Sequence, residues 1–348
     1  MNKQFFSLFF FILSCFAHNT EWIDEQIKED LEYLSAHPIN SIDLERWFEI
    51  LSIQGGQALY CKIRNHNVTW KKTSRSDDWR NAHVFSFIAA LNAKYSLPDV
   101  DFILLTEDGI SAHLEMPIFA FSKSSAADNT ALFPDFDVLW EISDMSREWI
   151  SKSIKWSKQY PWEVKKACAF FRGASTGIFD PNQFDFANDR VRAVIFSHKH
   201  PHLADVAFNV VFQPELMNFL NSIRSCVAGA AIYDHYKYKY LLDIDGNYST
   251  STRCRWILLS NSTLVKVMSQ KSQWYYKALE PWVHFVPVEQ DLADLEKHLN
   301  FLISNDTLAK EIADQGQELG KAIFSKDMVE LYVIRLLEAY SKYINLNH

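Results

Sequence analysis

Glycine is scarce in this chain, with 9 among 348 residues, and none of them fall in a G-x-G-x-x-G or G-x-x-x-x-G-K-[ST] arrangement. A dinucleotide fingerprint and a Walker phosphate loop are thereby excluded. Basic excess is absent too: the net charge is −8, which rules out a general nucleic-acid footprint and obliges any small anionic ligand to find local arginines. Cysteine is sparse and never in C-x-x-C spacing, so zinc is not indicated. Beyond Cys15, the four cysteines Cys61, Cys168, Cys226 and Cys254 are an even number whose pairing the spacing does not fix. No internal repeat or low-complexity tract occurs. The apolar run at residues 5–16 is shorter than the roughly 20 residues a membrane span needs, but it has the size of a signal-peptide core.

Residues 1–18 therefore read as a signal or anchor segment, with membrane association through it. That favours the secretory pathway or a membrane, with the cytoplasmic face of a bacterial inner membrane as the alternative. Hydrophobic residues at 48% and charged ones at 22% are ordinary for a soluble globular chain. The length allows two domains of about 100–200 residues. Aromatics reach 15%; most are core filler, and some offer faces for a sugar or base.

Strand-like and helix-like stretches alternate. A hairpin is expected over 58–70 with its turn at 65–67, a helix over 76–93, and a strand over 101–105 that stops at Thr106-Glu107-Asp108-Gly109. Strands at 168–171, 240–244 and 263–267 and a helix from Arg190 to His198 follow. Alternation of this kind predicts an α/β fold with mostly parallel sheets. A crossover between 143 and 161 divides the chain into two expected domains, 19–150 and 151–325. Residues 326–348 form a closing helix.

Four constellations could carry chemistry. The first is the apolar strand ending in Asp243-Ile244-Asp245, then Gly246, a hydroxyl-rich turn through Ser251, and Arg253 at a helix start. Main-chain N–H groups there, with an arginine nearby, suit a diphosphate, although a plain strand–helix connection fits the same pattern. The second is Arg172-Gly173-Ala174-Ser175-Thr176 after a strand, together with Arg190, whose place in a first helical turn costs the helix unless an anion sits there. Third, Asp108 follows a strand and can act as a general base, or simply form an Asp-Gly turn. Fourth, Asp243 and Asp245 form a D-x-D triplet with no third ligand nearby, which reads as a strand end and not a metal site.

The segments LYCKI, DFILLTEDG, PIFAFSK, LFPDF, FFRGAST, SHKHPHLADVAF, KYKYLLDIDGNYSTSTRCRWILLSNS and EPWVHFVPVEQDLADL occur in this order. Together they resemble glycosyltransferase family 90, the capsule-associated-protein and protein O-glucosyltransferase (Rumi-like) group with its lipopolysaccharide-modifying relatives. The resemblance implies a GT-B fold, two Rossmann-like domains facing across a cleft, and an inverting, metal-independent transferase with no cofactor. The expected donor is a UDP-sugar, carrying glucose or xylose, and the acceptor is a glycan, a lipid-linked glycan or a protein serine. By the same resemblance Asp108 is the catalytic base, and Arg172, Gly173, Ser175, Thr176, Arg190, Gly246, Ser251 and Arg253 bind the donor. Three departures stand out: Ala174 replaces a usual serine, the turn before Arg253 is one residue longer, and the chain ends INLNH without an ER-retention signal. The competing class is a nucleotide-sugar or glycan-binding module without catalysis.

Overall fold

The run Val100–Leu105 is apolar apart from Asp101, and in the computed structural model all of it is buried, as a strand covered on both faces requires. The structure describes residues 20–346 except 76, 144–148 and 250–251; the segment expected at 1–18 lies outside the described residues. Among the described residues no helix is long and apolar enough to cross a membrane. The four cysteines Cys61, Cys168, Cys226 and Cys254 are all free thiols.

The first sheet contains β1 (Ala58–Arg64), β2 (Asn67–Lys72), β3 (Val100–Leu105), β4 (Ile118–Ala120) and β5 (Thr130–Leu132), in the order β2-β1-β3-β4-β5. Asn65 and His66 join β1 to β2 with φ of 46° and 63°, the left-handed pair that a two-residue hairpin turn favours. So short a connection forces antiparallel pairing, and β1 is antiparallel to both β2 and β3, whereas β3, β4 and β5 run parallel. This half is a mixed sheet. Helix Asp78–Tyr95 starts two residues later than expected because Asp77 caps it, accepting from Trp79 and Arg80 main-chain N–H groups.

The second sheet is parallel throughout. It contains β6 (Lys166–Ala174), β7 (Ala204–Val210), β8 (Tyr238–Asp243), β9 (Thr263–Val267) and β10 (Val286–Val288), ordered β10-β9-β8-β6-β7. Counted within this half the order is 2-1-3-4-5, a doubly wound Rossmann-like arrangement. Strand β6 is longer than expected because β7 and β8 both pair along it, so Arg172 and Gly173 belong to its end and not to a loop.

The two halves share structure. Helix Lys326–Tyr340 returns to the first sheet, where Tyr332 stacks on Trp22 at 6.1 Å and donates to the Leu132 carbonyl at 3.0 Å. One hydrophobic core joins Phe102, Phe133 and Tyr332 to Trp256 and Trp274, while a second, around Phe171, Val194 and Leu242, fills the other face of the second sheet. Lys123–Ser124 pairs antiparallel with Lys271–Ser272 across the halves, and Arg255 ion-pairs with Glu141 at 2.8 Å, both largely buried.

Asp30 and Lys123 meet at 2.6 Å with almost no exposure, and Asp30 also accepts from Leu132 N at 2.9 Å and Gln26 Nε2 at 3.0 Å. Replacing only the cation strands a buried carboxylate. Lys123→Met is therefore expected to cost about 3–5 kcal/mol in urea unfolding, and Asp30→Leu/Lys123→Met to recover most of it. Equal losses in the single and double variants would contradict this.

Candidate active site

In a 2-1-3-4-5 sheet the connections from the first and third strands leave in opposite directions, opening a crevice at their carboxyl ends where ligands bind. Here those strands are β6 and β8, and the residues around the crevice are Gly173, Thr176, Arg190, Gly246 and Arg253. Arg190 lies in the first turn of helix Asp189–Lys199, which Asn188 caps. Its Nε and Nη2 donate to the Ile244 carbonyl at 3.1 and 2.9 Å, and Nη1 donates to the Ala174 carbonyl at 2.9 Å and Thr176 Oγ1 at 2.7 Å. One guanidinium thus ties the ends of β6 and β8 together. Burial pushes it down to about 10, against the opposing charges of Asp245 and Asp243.

Arg253 opens helix Arg253–Leu258 and donates from Nη2 to the Arg172 carbonyl at 2.7 Å. Its guanidinium lies over the Phe171 ring at 4.3 Å, and Arg190 approaches the same ring at 5.5 Å. Nη1 of Arg253 is buried with no hydrogen-bond partner among the described residues. Burial first, and then the neighbouring Arg190 charge, pull the Arg253 guanidinium down to about 9. An uncompensated buried donor beside a like charge is costly, and an anion bound here would relieve both penalties. Gly246 makes the crevice geometrically feasible: a Cβ there would lie 2.5 Å from Thr176 Oγ1 and 3.0 Å from Arg190 Nη2.

The other expected donor residues are arranged differently. The Arg172 guanidinium turns to β7, pairing with Asp205 at 2.6 Å, and only its carbonyl reaches Arg253. The Ser175 hydroxyl bonds Gln213 and accepts from Phe212 N at 3.0 Å, holding the loop after β7. Gly173 lies beneath Arg253 Nη2. Ser251 lies outside the described residues. The D-x-D carboxylates are engaged by their neighbours: Asp243 pairs with Lys266 at 2.9 Å and Asp245 accepts from Ser269 Oγ at 2.5 Å. Among the described residues no group of three or more His, Cys, Asp or Glu could hold a metal ion.

Asp108 is exposed at the end of β3, and Arg80 Nη2 reaches its Oδ1 at 2.9 Å. The loop after β8 comes to meet it. Tyr248 packs on Gly109 so closely that a Cβ there would be 2.9 Å from Tyr248 Cδ1 and 2.7 Å from the Ser122 carbonyl oxygen. Ser249 N donates to Ser122 Oγ at 3.2 Å. Two cations missed in the sequence complete this region. One is Arg80; the other is Lys271, whose Nζ donates to the Gly246 carbonyl at 2.6 Å. Lys271 follows a Gln in a polar stretch, and nothing local marks it.

His235 sits between Phe170 and Trp256, with ring centroids 4.9 Å from each. Burial, and then the charges of Arg253 and Arg172, push its imidazole down to about 4. The folded state therefore binds fewer protons than the unfolded state between pH 4 and 6.5, so His235 contributes stability that is present above pH 6.5 and lost as pH falls towards 4. Urea unfolding is expected to show an excess acid loss on the order of 3 kcal/mol at pH 4 relative to His235→Gln. Parallel pH profiles for the two proteins would refute it.

Protein O-glucosyltransferase 1 of Rattus norvegicus is 28% identical over 270 residues, covering 72% of this chain and 64% of that protein. Protein O-glucosyltransferase 3 of Mus musculus is 25% identical over 300 residues, covering 82% and 56%. The O-glucosyltransferase rumi homolog of Aedes aegypti is 30% identical over 272 residues, covering 71% and 62%. The chain thus spans less than two thirds of the length of these relatives. A crystal structure of Anabaena Alr3699/HepE in complex with UDP and glucose aligns at a TM-score of 0.37 and 12% identity, covering 74% of this chain and 76% of that one. Glycosyl transferase family 90 matches residues 22–348, nearly all of the described structure, and the chain belongs to that family of glycosyltransferases.

Proposed function

We propose that the protein transfers a sugar from a UDP-sugar to an acceptor hydroxyl, with inversion and without a metal ion. The observation that carries this reading is the pair of buried guanidinium groups at the β6–β8 crevice, with Arg253 Nη1 unpartnered among the described residues. A diphosphate supplies acceptor oxygens for the unpartnered donor and further negative charge between two guanidinium groups that repel each other. The relatives' names favour glucose as the transferred sugar and a protein hydroxyl as the acceptor. Xylose as the sugar, and a surface glycan or lipopolysaccharide as the acceptor, are the other arms of the same proposal.

In this mechanism Asp108 takes the proton of the acceptor O–H while the acceptor oxygen bonds the anomeric carbon. The bond from that carbon to the β-phosphate oxygen breaks, and its electron pair leaves with UDP. Arg190 and Arg253 face the charge that develops on the leaving diphosphate, where preorganised donors contribute most. Attack opposite the leaving group inverts the anomeric centre. The pairing of Asp243 with Lys266 and of Asp245 with Ser269 supports metal independence, because both carboxylates already have partners.

Arg253 and Arg255 make the test specific, since Arg255 points away to Glu141. Arg253→Lys keeps the charge but loses the planar fork. Isothermal titration should show UDP binding about 10–100-fold weaker, the equivalent of one or two charge-assisted hydrogen bonds, with the melting temperature nearly unchanged. Unfolding without a selective loss of UDP affinity would make Arg253 a structural residue and remove the diphosphate site.

A further inference from the structure

Asp108 has one ion-pairing or hydrogen-bonding partner among the described residues, Arg80, and that contact uses only Oδ1. Arg80 itself is firmly held. Its Nη1 donates to the Thr106 carbonyl at 2.9 Å, two residues before Asp108, and its guanidinium lies over the Phe136 ring at 4.3 Å. The main chain is fixed as well, because Asp77 caps the helix and accepts from Arg80 N. An arginine in a first helical turn opposes the helix dipole, so its position is not explained by the helix. A carboxylate at 67% side-chain exposure otherwise has a free rotor.

We infer that Arg80 is a positioning residue that clamps one oxygen of Asp108 and leaves Oδ2 to receive the acceptor proton. This rests on the glycosyl-transfer reading above. The acceptor O–H proton passes to Oδ2 as the acceptor oxygen bonds the anomeric carbon and UDP departs with the electron pair; the proton then leaves Asp108 for solvent. The charged and titratable groups around Asp108 are Arg80 and Asp77 from the helix side, Glu107 beside it, and Tyr248 from the donor loop. Asp77 lies 3.9 Å from Arg80 Nε, and Glu107 accepts from Gln57 N at 3.2 Å. Burial raises the Tyr248 hydroxyl, and the charges of Glu107 and Asp108 raise it further. Arg80 is the cation of this group, and its contact fixes the direction of the carboxylate.

The test follows UDP release from UDP-glucose and UDP-xylose, with water replacing the acceptor, across pH 4–9 in the full chain. Arg80→Gln should lower kcat about 10–100-fold, within the range of a general-base contribution, while UDP affinity and melting temperature stay near wild type. Arg80→Lys should restore part of kcat. Wild-type kcat in Arg80→Gln, with Asp108→Asn inactive, would overturn this inference alone. If Arg80→Gln fails to fold, Arg80→Lys decides: a several-fold lower kcat supports the clamp and a wild-type kcat contradicts it. Undiminished turnover in Asp108→Asn, or no turnover with either UDP-sugar, would overturn the functional reading itself.

Discussion

Arg190 is buried, and four hydrogen bonds hold it to the Ile244 and Ala174 carbonyls and to Thr176. Much of the second half follows from that requirement. The ends of β6 and β8 must converge on one guanidinium, Gly246 must lack a side chain, and Phe171 must present a ring face to two cations at once. A buried arginine held by carbonyls instead of a carboxylate has its positive charge only partly offset, here by Asp245 and Asp243 nearby. Arg253 adds a second. The crevice is therefore strained electrostatically while its hydrogen bonds are nearly complete, an arrangement an anion can stabilise without rebuilding the fold.

The same loop connects the two halves. Asp243 pairs with Lys266, Lys266 donates to Tyr276 Oη at 3.0 Å, Tyr276 bonds Ser249 Oγ at 2.6 Å, and Ser249 N reaches Ser122 in the first half. Burial opposes the Lys266 charge, but Asp243, Tyr276, Asp245 and Cys254 together outweigh it and hold the ammonium well above its ordinary range. This chain of polar contacts sets the loop after β8 against the turn that carries Asp108. Tyr248, within that loop, packs on Gly109 next to Asp108.

Local pattern revealed the parallel half well. Residues 263–267 were legible as a strand because five consecutive apolar-dominated positions lie between polar turns. The antiparallel hairpin in the first sheet was visible too, and its short turn makes that sheet mixed where alternation alone predicts parallel strands. Strand alternation could have separated Arg172 from Gly173, since neighbours in a strand face opposite ways. Instead both read as loop residues, because the pairing that lengthens β6 comes from β7 and β8. Lys266 held a further clue: a lone lysine in an apolar strand needs a carboxylate, and Asp243 is its register partner on β8. Arg80 and Lys271 had no such signal. Arg80 meets Asp108 28 positions away and Lys271 meets Gly246 25 positions away, separations that no local period records.

The central claim is that the crevice between β6 and β8 binds a uridine diphosphate through Arg190 and Arg253. A thermal-shift panel of UDP, UDP-sugars, GDP-sugars, CMP-sugars and free glycans, in buffer containing excess EDTA, tests it most directly. Uridine diphosphate compounds at about 100 times their dissociation constant should stabilise the protein by about 2.7 kcal/mol, a clear rise in melting temperature, with GDP- and CMP-sugars weaker. A rise with free glycans and none with any nucleotide would contradict the account and leave a glycan-binding module in its place.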